Sequence, residues 1–282
     1  MSTSRRSLLG GALALACFPG AARARTIEKL KADGVLRVAV YRDFEPWSWR
    51  DASSKLIGID VEIGELIAKT LGLRAETVDF LADEDVGDDL RNMIWRGSLV
   101  GGTVSDIMMH VPVDRQFALA NDRAVIGGPY YREGFMMACA LDTDCEVPPP
   151  QFKGRKLAAE LDSIPDFYLS GGFGGVLRSD VTHVLSGAAA IDSVKQGKAD
   201  VALATRAQVE HAMQAGAERL KVRKGPLPAL PSPGWDVGVA VKDDARDLAD
   251  LLDQMIAGFR KDGQIDAILA KHGVTPHAPL SV

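Results

Sequence analysis

Apolar residues along the chain recur in two alternating rhythms. "VLRVAVY" (35–41) is a nearly continuous apolar run rich in valine, as strands covered on both faces are. Ahead of it "TIEKLKADG" predicts a short helix closed by Gly34. After it "VEIGELIAKTLGL" sets Ile63, Leu66, Ile67 and Leu71 on one helical face, with Asp60 placed to cap the start and Gly72 to stop the end. "DDLRNMIWRG" reads as a further helix and "SDIMMHV" as a further strand. Alternation of this kind predicts an α/β fold with a mainly parallel sheet.

The rhythm is interrupted twice. "GGPYYREGFMMACALDTDCEVPPPQ" holds a tyrosine pair and three consecutive prolines, and "KGPLPALPSPGW" holds four prolines. Between the breaks come a strand ("GRKLAAEL"), a loop carrying "SGGFGG", a helix ("AAAIDSVKQGK") and a strand ("ADVALAT"). After the second break "DVGVAVK" is a strand followed by two helices, the first with Leu248, Leu251, Leu252, Met255 and Phe259 on one apolar stripe. Two breaks around one middle block predict two lobes joined by two crossings: 25–131 with 236–282, and 132–235.

The first 24 residues stand apart. They have a basic start, an apolar middle from Leu8 to Phe18 and the small-residue ending Ala22-Arg23-Ala24, the anatomy of a cleavable export signal. Arg5-Arg6 also fits a twin-arginine signal. Cleavage takes three of the 33 basic groups and none of the 38 acids, leaving 258 residues at a net charge of −8. That balance provides no basic field for nucleic acid. In an oxidising compartment Cys139 and Cys145, with five residues between them, are expected to form a disulfide, the alternative being two free thiols.

Other groupings are weaker. "ADEDVGDD" holds five acids without the spacing of a calcium loop and is read as a solvated acidic loop. "GGFGG" lacks the Lys-Ser/Thr ending of a phosphate loop and is read as a turn. There is no Gly-x-Ser-x-Gly elbow and no His-Glu zinc motif, so neither a catalytic nucleophile nor a metal set is assigned.

The order of these segments resembles the bacterial periplasmic solute-binding proteins of the polar amino-acid type, the extracellular family 3. The resemblance rests on "LRVAVYRDFEPWSWRDASSKLIGIDVEIGELIAKTLGL", "GPYY", "FKGRKLAAELDS", "IDSVKQGKADVALAT" and "GWDVGVAVKDDARDLADLLDQMIAGFRKDGQIDAILAKHG". It implies a two-lobed type II binding-protein fold, a periplasmic location, no cofactor, a small-molecule ligand, an ABC permease as partner, and a monomer that is not an enzyme. Carried over by position, Phe44 with Trp47 and Trp49 forms an aromatic cleft wall, and Tyr130 lies at the lobe crossing. Arg115 grips a ligand carboxylate in two-pronged fashion, and Ser163 adds a hydroxyl from the second lobe.

The departures shift the expected ligand. "HVPVDR" is shorter than the usual lead into the arginine and has no Ser or Thr. Where relatives carry an aspartate for an α-amino group, this chain has Thr205 followed by Arg206. Arg115 and Arg206 together predict an anion or a carboxylate-bearing solute. "DIMMHVPVD" is also similar to a segment of the MxaJ and XoxJ proteins. That implies an alternative role as accessory partner of a periplasmic quinoprotein dehydrogenase or its cytochrome c. His110, at a strand's carboxyl end, is expected to line the cleft. A further alternative, a cleft enzyme resembling cyclohexadienyl dehydratase, would draw on Asp43, Glu45 or Asp162.

Overall fold

The computed structural model describes residues 23–97, 103–214 and 217–280, so nearly all of the export-signal reading lies outside the described residues. The chain opens with α1 (Ile27–Asp33), β1 (Val35–Tyr41), a small hairpin of β2 (Trp49–Arg50) and β3 (Leu56–Ile57), α2 (Ile59–Thr70) and β4 (Arg74–Phe80). Then come α3 (Val86–Leu90), running into a π-helical turn over Arg91–Trp95, β5 (Ile107–Pro112), α4 (Arg115–Ala120) and β6 (Ala124–Glu133). The middle block comprises β7 (Phe135–Ala140), β8 (Leu157–Glu160), α5 (Ile164–Gly171), β9 (Val181–Val184), α6 (Gly187–Lys195), β10 (Val201–Thr205), α7 (Arg206–Gln214) and β11 (Leu220–Val222). The chain closes with β12 (Trp235–Lys242), α8 (Arg246–Lys261) and α9 (Gln264–Lys271).

Two five-stranded sheets result, ordered β4-β1-β5-β12-β6 and β11-β7-β10-β8-β9. In the first, β1 is parallel to β4 and β5, while β12 pairs antiparallel with β5 and β6. In the second, β8 is parallel to β9 and β10, with β7 antiparallel to β10. Helices flank both sheets and each half has its own apolar core. Leu36, Val38, Ile63, Ile67, Val239 and Leu252 anchor the first, and Met137, Phe152, Leu157, Tyr168 and Leu203 the second. The chain passes from the first sheet to the second across one residue, Gly134, and returns over 223–234. Two lobes of α/β type are the outcome.

Several local expectations are corrected. Gly58, not Asp60, caps α2; its φ of 136° and the 2.2 Å that would separate a Cβ from the Trp47 carbonyl oxygen demand glycine. Asp60 sits inside the first turn and is fully buried, because its carboxylate has distant partners described below. The segment expected as a loop before "SGGFGG" contains α5, started by the Ser163 cap and a proline in its first turn. On α8 the buried stripe is Leu248, Leu252, Ile256 and Phe259, while Leu251 and Met255 lie at its half-buried edge. In the acidic loop Asp89 is buried, accepting from the Tyr41 hydroxyl and the Asp83 amide, both at 2.8 Å. Cys139 and Cys145 are joined, Cα atoms 5.9 Å apart, within the second core.

Candidate functional site

His110 lies on β5, a strand buried through its first five residues, yet its φ is +62°. A non-glycine residue holds that conformation only where its surroundings fix it. Three contacts do so. Its backbone N–H donates to the Tyr130 hydroxyl oxygen at 3.0 Å, the Tyr130 hydroxyl donates to Asp60 Oδ1 at 2.6 Å, and His110 Nδ1 stands 3.2 Å from Asp60 Oδ2. The Asp60 carboxylate, 0% exposed, thus orients the ring through Nδ1. Nε2 has no protein partner among the described residues. Trp47 and Phe44 pack on the ring at centroid distances of 4.6 and 4.7 Å.

The aromatic trio is therefore split. Phe44 is partly exposed beside His110. Trp47 is fully buried against Tyr130, Tyr131 and His110, part of the first core rather than a wall open to a ligand. Trp49 packs edge-on to His211 and His272, 5.6 and 5.8 Å away. Tyr130, 2% exposed, likewise works within the Asp60 network and offers no free surface. Arg115 is exposed at the first residue of α4, just beyond the end of β5, where Asp114 caps the helix by accepting from the Phe117 amide at 2.8 Å.

The second lobe contributes a cavity of about 130 Å³ at the carboxyl ends of β8 and β10. Ser163 and Thr205 both line it. Ser163 Oγ donates to the Glu160 carbonyl oxygen at 2.6 Å and accepts from the Asp166 amide at 3.2 Å, so it caps α5 as well. Thr205 Oγ1 accepts from the Gln208 amide at 3.4 Å. Phe135 and Trp235, each the first strand residue after a crossing, close the rim with centroids 5.3 Å apart. Glu160 lines the same cavity; its Oε2 accepts from the Gly187 amide at 3.0 Å, and burial pushes its carboxyl upward.

Arg206 points elsewhere. Its Nη2 donates to the Arg132 carbonyl oxygen at 3.0 Å and lies where a Cβ on Gly134 would stand 2.8 Å away. It braces the crossing and does not line the cavity. Beside it Glu133, 0% exposed, accepts from the amides of Gly134 (2.8 Å) and Ala207 (3.4 Å), and burial pushes its carboxyl up to about 7. Of the acids weighed for catalysis, Asp43 and Asp162 are exposed and outside the cavity, and Glu45 is engaged by His211 at 2.9 Å. The residues that pattern reading missed are Asp60, Glu133, Glu160 and His211. Each is polar beside an apolar run, a signal that marks burial without naming a partner.

Comparison with known proteins agrees with this architecture. Residues 36–88 match the model of the bacterial extracellular solute-binding proteins, family 3. An ancestral cationic amino acid solute-binding protein superposes with a TM-score of 0.69 at 18% identity, covering 88% of this chain and 99% of the other. A putative binding component of an ABC transporter from Wolinella succinogenes, complexed with lysine, gives 0.65 at 19%, covering 86% and 96%. The solute receptor for L-cysteine of Neisseria gonorrhoeae gives 0.63 at 21%, covering 88% and 93%. No curated protein matches the chain. The stretch from β1 to α3 carries the family 3 signature, and the whole has the two-lobed fold of these structures.

Proposed function

We propose that this chain is an exported, periplasmic solute-binding protein that holds a small carboxylate-bearing solute between its lobes and presents it to an ABC permease. The lobes are 25–131 with 236–282, and 132–235. One observation carries the reading: a cavity at the carboxyl ends of β8 and β10, rimmed by Phe135 and Trp235, which follow the two crossings. Open α/β sheets take ligands at such strand ends, and a two-stranded connection lets one lobe swing on the other. Arg115 is the carboxylate grip from the first lobe. Phe44 supplies an apolar face, and His110, held by Asp60, offers Nε2. Ser163 and Thr205 complete the set from the second lobe.

Of the acids a cleft enzyme was expected to draw on, Asp43 and Asp162 stand outside the cavity and Glu45 is paired with His211. A thermal-shift screen of the exported form tests the reading. Amino acids, organic acids, alcohols, metals and pyrroloquinoline quinone would be compared. A rise in melting temperature with one class of carboxylate is the expected result. No response to any solute, with co-purification of a dehydrogenase, would replace this reading with the accessory role.

A further inference from the structure

The segment after α9 lies across both crossings. Val274 is buried in the first core. The chain then runs over 275–280, where Pro276 and Pro279 fix two of the φ angles. The His277 carbonyl oxygen accepts from the Arg132 amide at 2.9 Å, on β6, the edge strand that leads into the outgoing crossing. The Leu280 amide donates to Asp236 Oδ2 at 2.9 Å, on β12, which leads away from the returning one. Arg132 and Asp236 are register partners, and Arg132 Nη1 donates to Asp236 Oδ1 at 3.1 Å. Each stands two residues from a glycine of its crossing, Gly134 and Gly234. At Gly234 φ is +107° and a Cβ would meet the Glu133 carbonyl oxygen at 2.1 Å, so the two crossings touch.

The other side of this segment holds the second lobe. The Thr275 amide donates to Glu210 Oε2 of α7 at 2.7 Å, and the His272 carbonyl oxygen lies 2.6 Å from His211 Nδ1. A Cβ on Gly273 would stand 2.5 Å from Oε1 of Gln214, the last residue of α7. Positions 210, 211 and 214 share one side of that helix. The amino end of α7 is bound to the crossing itself, since the Arg206 amide donates to the Gly134 carbonyl oxygen at 2.9 Å. The helix is therefore held at the pivot and again about 6–12 Å along its axis.

We infer that residues 272–280 form a hinge strap, which couples α7 to the bases of both crossings and limits how far the lobes swing apart. The strap is made of protein groups alone, so it goes beyond the solute-binding reading and acts whatever the solute. A swing of about 20° about the pivot end carries position 211 by about 2.5 Å, out of hydrogen-bond reach. The two prolines leave the strap little freedom to lose on being seated, so ordering it offsets little of what the bonds contribute.

Opening is read best at the sheet edges farthest from the crossings, β4 and β9. Spin labels on Ala82→Cys, just past β4, and Leu185→Cys, just past β9, sit at exposed positions and report the inter-lobe distance by double electron-electron resonance. Cys139 and Cys145, joined to each other, take no label. The labelled exported protein is compared with the same protein carrying Glu210→Ala and with a form ending at Val274. The share of distances beyond the parental peak should rise at least threefold in Glu210→Ala, and further in the shortened form. A Glu210→Ala distribution that superimposes on the parent's, or narrows, would overturn the inference. That variant leaves the strap and the first lobe untouched and alanine suits a helix, so it decides the matter even if the shortened chain misfolds. Such a failure leaves solute binding standing, and a solute screen without a hit leaves the strap standing.

Discussion

Glu45 and His211 meet across the gap between the lobes, Oε1 to Nε2 at 2.9 Å. His211 belongs to α7 of the second lobe and Glu45 to the loop after β1 of the first. The other ring nitrogen, Nδ1, is 2.6 Å from the backbone oxygen of His272, which follows α9 and whose own Nε2 is 2.8 Å from Glu62. Three residues along, Thr275 donates its amide to Glu210 at 2.7 Å. One face of α7 is thus fastened to the first lobe by charge and hydrogen bonds, which water and protons can compete for.

That contact should depend on pH. Its bond to Glu45 lifts His211 above the usual 6.5, against opposing burial and the nearby Lys195 charge, and holds Glu45 below 4.5. The histidine's contribution is complete below about pH 6.5 and is lost as pH rises through the lifted value. The glutamate's is present above 4.5 and is lost as pH falls through its lowered value. His211→Gln should therefore lower the melting temperature more at pH 5.5 than at pH 8.5. An equal loss at both would show that the ion pair adds nothing.

Glu133 should act with the opposite outcome. Its carboxyl, pushed by burial from 4.5 to about 7, keeps its proton in the folded state while the unfolded chain has lost it. Stability from this group falls as pH rises through that interval, by about 3 kcal/mol. Glu133→Gln removes the titration, so the variant should gain on the parent by that order between pH 4.5 and 7. Urea unfolding at a series of pH values reads the difference directly, and parallel curves would refute the burial of a protonated acid.

Tyr130 is the pivot of the buried network. Its hydroxyl donates a hydrogen bond to Asp60 and accepts one from the His110 amide, so Tyr130→Phe strands both partners. A loss of about 1–3 kcal/mol is expected in denaturant unfolding. Because Tyr130 has no open surface, solute affinity should change far less than stability. A large affinity loss with unchanged stability would place the hydroxyl at the ligand instead.

The strands were readable and the polar contacts were not. β1 occupies the very run, 35–41, that its continuous apolar character marks, and β10 coincides with the last five residues of "ADVALAT". A strand covered on both faces leaves an unambiguous local imprint. Asp60 shows the limit. An acid heading an apolar helical run has the local signature of a cap, but its partners His110 and Tyr130 lie 50 and 70 residues away. The aromatic trio fails for a similar reason. Phe44 and Ser48 form a bridge that turns Trp47 inward, and composition cannot say which of three rings a turn will bury. Arg206 differs from Thr205 by one position and faces the crossing instead of the cavity, a choice made by the start of α7 against Gly134.

In the proposed function a carboxylate solute is held between the lobes with Arg115 as its grip. Titration calorimetry of the tightest-binding carboxylate from the screen, on the parent and on Arg115→Ala, tests it most directly. Arg115 is exposed and caps nothing through its side chain, so the variant should fold as the parent does. Losing one side of a two-pronged carboxylate contact should weaken binding by about two orders of magnitude at unchanged one-to-one stoichiometry. Binding of that solute with parental affinity in Arg115→Ala would show that Arg115 does not hold the carboxylate.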